Sequence, residues 1–190
     1  MNEDLDFEID DIIEEAETKQ KRKKKSGKKG KRVELELVKR LNERFADLLE
    51  KHPDWGQFSR SVGSGNRWGQ RVHLSKAATD TYAGDITCPT NFLFSLESKG
   101  GYNEIDVFTA FDGGHRELDA FLEQAEHDGT RTNRKPMLIW KKDRKLRLAF
   151  IKKHELEQPN TEYFMFYRDW LALDFENLMA LGDEFFFELP

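Results

Sequence analysis

Cysteine is nearly missing from this chain. Cys88 stands alone among 190 residues, which excludes an internal disulfide. The five histidines are scattered, so no zinc-ligand spacing is present either. This usage fits a reducing, cytoplasmic compartment. No apolar run approaches the roughly 18 residues needed to span a bilayer, so no membrane partner is expected. The opening residues are acidic, unlike a secretory signal or a transit peptide. Apolar residues are also sparse: 37% hydrophobic against 35% charged. A chain of this length can still bury one core, provided that part of it stays outside the packing.

The net charge is −5, which taken alone speaks against a polyanionic partner. The charge is segregated, however. Residues 1–18 carry nine acidic side chains and no basic one, whereas residues 19–32 carry ten Lys or Arg and no acid. Residues 155–190 carry nine acids and one Arg. Binding depends on local potential within a Debye length of about 8–10 Å, so the pattern outweighs the sum. Residues 1–32 have too little to bury and repel themselves, and are expected to form a disordered arm. Its basic half, with Lys28, Lys29 and Arg32, suits either a phosphate-gripping arm or a solvated tail paired with its acidic neighbour.

From Val33 the periodicity becomes helical. At about 100° per residue, Val33, Leu37, Leu41, Phe45 and Leu48 share one face, and Pro53 ends the pattern. Strands are predicted at Phe58–Val62, Ile86–Cys88 and Asn91–Lys99, the last two joined by a turn at Pro89-Thr90-Asn91. Arg116–His127 reads as an amphipathic helix, and Met137–Lys141 with Leu146–Lys152 as a hairpin. A strand at Tyr163–Tyr167 and a helix near Trp170–Leu181 follow. The order predicts an α/β domain with a central mixed sheet flanked by helices. Its core is placed at 33–154. An acidic, aromatic extension, 155–190, packs on the core or forms a dimer surface.

Glu97 and Lys99 lie two apart on a predicted strand and so point to one face. Phe92, Phe94 and Leu96 take the other, buried face. With the turn centred at Thr90–Asn91, Asp85 falls opposite Glu97. Two carboxylates and an ammonium then meet on one sheet surface, costly for the like charges unless a cation lies between them. Mg²⁺ suits one or two carboxylates plus waters and phosphate oxygens, and Mn²⁺ is expected to substitute. Glu34 falls inside the apolar arc of the first helix, while Glu36 points to solvent. An inward carboxylate needs a metal or a buried Lys or Arg, and the sequence leaves both open. The Glu/Asp-x-Lys pattern is weak alone: Glu17-Thr18-Lys19 and Asp143-Arg144-Lys145 also match it. Strand context, the Asp at hairpin distance and the inward Glu give it weight.

A helix with Glu, then Asp, then Glu-x-Lys resembles the PD-(D/E)XK nuclease superfamily. Lys28-Lys29-Gly30-Lys31-Arg32-Val33-Glu34 is similar to the opening of archaeal-type Holliday junction resolvases. Phe58-Ser59-Arg60-Ser61-Val62-Gly63-Ser64 is similar to their second element. The resemblance covers residues 28–152 and implies a restriction-endonuclease-like core. It implies metal ligation by Glu34, Asp85 and Glu97, activation of water or stabilisation of the phosphate by Lys99, and phosphate contacts from Arg60 and Ser64. It also implies a homodimer, since two strands must be nicked. Gly84 replaces the usual Pro, Leu35 replaces an Arg, and the stretch Gly65 to Ala83 is longer than in such resolvases. The acidic tail resembles those of phage-encoded relatives, for which the compartment is the host cytoplasm.

Other signals have two readings each. Arg67, Trp68 and Arg71 belong to a basic loop that stacks on an unpaired base, or to a solvated loop. Gln124 can face the site. Lys141, Lys142, Arg144, Lys145 and Arg147 form a second phosphate patch or a solvated turn. The leading expectation is a Mg²⁺-dependent DNA endonuclease selective for junctions, serving recombination, repair or phage DNA processing. A restriction-type nuclease of the same superfamily and a non-catalytic DNA-binding protein are the alternatives.

Overall fold

The computed structural model describes residues 29–61, 84–102, 105, 114–142, 145–156 and 165–190. Among the described residues helix α1 covers 29–44, including the four residues ahead of the apolar periodicity, so Lys29, Lys31 and Arg32 ride on it. A one-residue turn at Phe45 leads into α2 (Ala46–Lys51), and Pro53 opens a single 3-10 turn, as its fixed φ and missing N–H dictate. The strands are β1 (Ser59–Arg60), β2 (Ile86–Thr87), β3 (Phe94–Gly100), β4 (Lys135–Lys141), β5 (Arg147–Lys152), β6 (Met165–Tyr167) and β7 (Trp170–Asp174). Helix α3 (Arg116–Thr132) joins β3 to β4, and the short α4 (Phe175–Met179) and α5 (Asp183–Phe186) close the chain.

All seven strands form one sheet in the order β1-β2-β3-β4-β5-β7-β6. Among the described strands only the β3–β4 pair is parallel, and α3 lies on the connection between them. The sheet is mixed and helices flank it, as the sequence predicts. Alternation along the strands feeds two cores. Leu96, Met137, Ile139, Ile151 and Leu173 pack beneath α1 with Leu37, Leu41 and Phe45. Leu138, Trp140, Phe150 and Ala172 pack beneath α3 with Leu118, Phe121, Leu122 and Ala125.

The stretch predicted as a helix near Trp170–Leu181 begins instead as β7. Trp170 and Ala172 enter the α3 core, while Leu171 and Leu173 enter the α1 core. A strand buried on both faces is apolar throughout, and periodicity cannot tell it from a buried helix. The helix starts only at Phe175, where the Asp174 carboxylate accepts a hydrogen bond from the Glu176 amide at 2.7 Å. Phe186 and Phe187 then return to the α1 core around Phe45 and Phe92.

Candidate active site

Ile86 of β2 lies opposite Leu96 of β3, which sets Asp85 beside Glu97. The Asp85 amide donates to the Leu96 carbonyl at 3.1 Å, and the Ser98 amide donates to Asp85 Oδ2 at 3.1 Å. Gly84 has φ +87°, and a Cβ there would stand 2.9 Å from the Leu96 carbonyl oxygen. The two chains approach so closely that only glycine fits before Asp85.

Glu97 is 1% exposed. Its Oε1 accepts from Lys99 Nζ at 2.5 Å, while Oε2 is buried without a hydrogen-bond partner. Lys99 Nζ also donates to Gln124 Oε1 at 2.9 Å and sits 5.3 Å from the Phe121 ring centre. Burial and then the Asp85 charge push the Glu97 carboxyl up to about 8. Burial also raises Asp85, with Lys99 opposing and Glu34 adding to the shift. Burial works against the Lys99 ammonium, but Glu97 and Asp85 outweigh it and hold its pKa above the usual lysine value.

Glu34 turns inward and is 8% exposed, whereas the Glu36 side chain is half-exposed. Of the two partners open to an inward carboxylate, the structure supplies a cation. Arg60 Nε on β1 donates to Glu34 Oε2. Among the described residues no three His, Cys, Asp or Glu side chains gather closely enough to hold a metal ion. Asp85 and Glu97 thus form a pair, with Glu34 felt electrostatically from its place against Arg60. The pair nevertheless suits a hard divalent cation: its donors are carboxylate oxygens, and the buried Glu97 Oε2 has no hydrogen-bond partner among the described residues.

Gln124 does face the site. Sequence reasoning missed Asp128, one turn further along α3, buried at 8% exposed and close enough to add to the Glu97 shift. Burial raises its own pKa, with His127 opposing. The signal was present: Asp128 continues the stripe of Leu118, Phe121, Leu122 and Ala125, so it is an inward acid like Glu34. Lys29 reaches the end of β3, with Nζ 3.3 Å from where a Cβ on Gly101 would stand, and Arg32 is exposed. Lys28, Ser64, Arg67 and Arg71 lie outside the described residues.

A family model described as "Phage putative PDDEXK endonuclease" matches residues 25–182. The chain belongs to this family. Neither the curated proteins nor the solved structures contain a significant match. Membership identifies a PDDEXK-type nuclease, a class that generally uses divalent metals. Asp85 and Glu97-Ser98-Lys99 lie within the matched residues. The match extends past residue 154 through β7 and α4. No helix among the described residues is long and apolar enough to cross a membrane.

Proposed function

We propose that the chain is a Mg²⁺-dependent DNA endonuclease selective for branched DNA, acting as a homodimer in recombination, repair or phage DNA processing. The observation that carries this reading is the buried, unpartnered Glu97 Oε2 beside Asp85, with Lys99 on the other oxygen of the same carboxylate. Asp85 and Glu97 would hold Mg²⁺, with Mn²⁺ as a substitute. When bound, the ion supplies Lewis-acid polarisation of the phosphoryl oxygen and a lowered pKa for water.

The remaining work falls to the chain's own side chains. Lys99 places fixed positive charge where the phosphorane gathers negative charge, worth about 10²–10³ in rate for a well-placed donor. Gln124 and Glu97 hold that ammonium in position from two sides. Arg60 would exchange Glu34 for a DNA phosphate, leaving Glu34 able to complete the ligand set. A guanidinium suits either partner, because its fork matches carboxylate and phosphate alike. Lys29 and Arg32 would meet neighbouring phosphates from the start of α1.

The test is cleavage of a four-way junction, a flap and a linear duplex, in Mg²⁺ and then in EDTA. The expected result is metal-dependent cutting with the junction preferred. Lys99→Ala, Asp85→Ala and Glu97→Ala should remove it while DNA binding persists. Equal cutting of linear duplex at one sequence would favour a restriction-type enzyme. No cutting of any substrate would leave a DNA-binding protein.

A further inference from the structure

Tyr102 stands three residues beyond Lys99, at the end of β3, and is 39% exposed. Its φ of +53° places a bulky side chain in the left-handed region. Two other described non-glycine residues share that conformation, and each has a local reason. Asn133 caps the end of α3, and Arg168 turns the chain between β6 and β7. Tyr102 follows Gly101, itself at φ +91°, and its carbonyl accepts the Ile105 amide at 3.2 Å. Glycine would hold that φ with less strain, so the backbone alone does not explain a tyrosine. Strain of this kind is held where the side chain has work to do.

The surroundings indicate the work. The Tyr102 ring meets Phe121 edge to face, with centroids 4.7 Å apart, and Phe121 in turn lies beneath the Lys99 ammonium. Phe121 is buried, so the tyrosine is propped from below. Lys29 Nζ approaches the neighbouring Gly101, 3.3 Å from where a Cβ there would stand. An exposed ring resting on the ring beneath Lys99, with a second ammonium at the adjoining residue, has the layout of a single-strand platform, in which bases stack and cations follow the backbone.

Resting on the nuclease reading, we propose that Tyr102 stacks on an unpaired base next to the scissile phosphate and so selects DNA whose strands are locally open. A base still paired inside a duplex presents only its edges, so it cannot lie on the ring without being drawn out.

The test uses the full chain with a four-way junction and a duplex of matching sequence. 2-Aminopurine is placed in turn at each nucleotide flanking the cut, in an Asp85→Asn background that binds without cutting. Wild-type Tyr102 should quench the probe at one flanking position in the junction and not in the duplex. Tyr102→Leu, which keeps a contact with Phe121, should lose that quenching and lower junction kcat/KM about 10-fold, with duplex cutting changed far less. Tyr102→Phe should retain both. Tyr102→Gly suits the backbone, so it should stay folded and repeat the Leu result. If the wild type cuts DNA while the Leu and Gly variants keep its quenching and its substrate preference, this inference alone is overturned. If the wild type cuts no DNA, both readings fall together.

Discussion

Glu97 shows most clearly how a single side chain sets the chemistry available here. Its carboxyl, buried and placed beside Asp85, is held up at about 8 from an ordinary value of 4.5. A raised carboxyl has a definite sign in stability. The folded state keeps its proton where the unfolded chain has already lost it, so stability is full below 4.5 and declines as pH rises through about 8. Asp85 shifts in the same direction. Metal-free protein should therefore melt lower at pH 8 than at pH 5, and Glu97→Gln should flatten that slope. Mg²⁺ replaces the proton, so its protective effect in a thermal melt should grow with pH. A metal-free melting profile with no slope in this window would show that the two acids are solvated.

At the scale of elements, the β2–β3 register and α3 do the positioning. The register was legible because the Pro89-Thr90-Asn91 turn fixes which residues face each other, and a one-residue slip would expose Phe94 and Leu96. The inward turn of Glu34 was legible from helical angle alone. Its partner was not: the sequence favoured a metal over a cation, and Arg60 lies on a short strand far along the chain. Asp128 was legible in principle, by the argument applied to Glu34, but an acid near a helix end reads as solvent-facing until the stripe is followed to it. The strand β7 was hidden because burial on both faces erases the period. The last elements are also mechanical supports. Phe186 is fully buried among Phe45, Phe92 and Phe94, and the Leu93 amide donates to its carbonyl at 2.8 Å, just before β3 begins. Phe186→Ala should cost about 3–5 kcal/mol by chemical denaturation, the range for a large aromatic lost from a packed core. A loss under 1 kcal/mol would mean that the closing segment packs loosely.

For the whole molecule, charge is the organising quantity. A net −5 chain approaches DNA only through local cationic surface, and residues 19–28 hold seven Lys or Arg ahead of α1. If that run grips phosphates, deleting residues 1–28 should make the plot of log affinity against log salt shallower, by about 0.9 for each phosphate released. Cutting at saturating DNA should persist, since α1 and the sheet keep their residues. An unchanged slope would mark the run as a solvated tail.

The Arg60–Glu34 pair links these scales. A guanidinium that can hold either an internal carboxylate or a backbone phosphate makes the two binding events thermodynamically interdependent. Arrival of DNA would loosen the hold of Arg60 on an acid that can turn to the cation, and by reciprocity a bound cation would tighten the grip on DNA. An enzyme built this way would stay weakly charged with metal until substrate is in place, so that hydrolytic competence would be assembled on the nucleic acid and not carried to it.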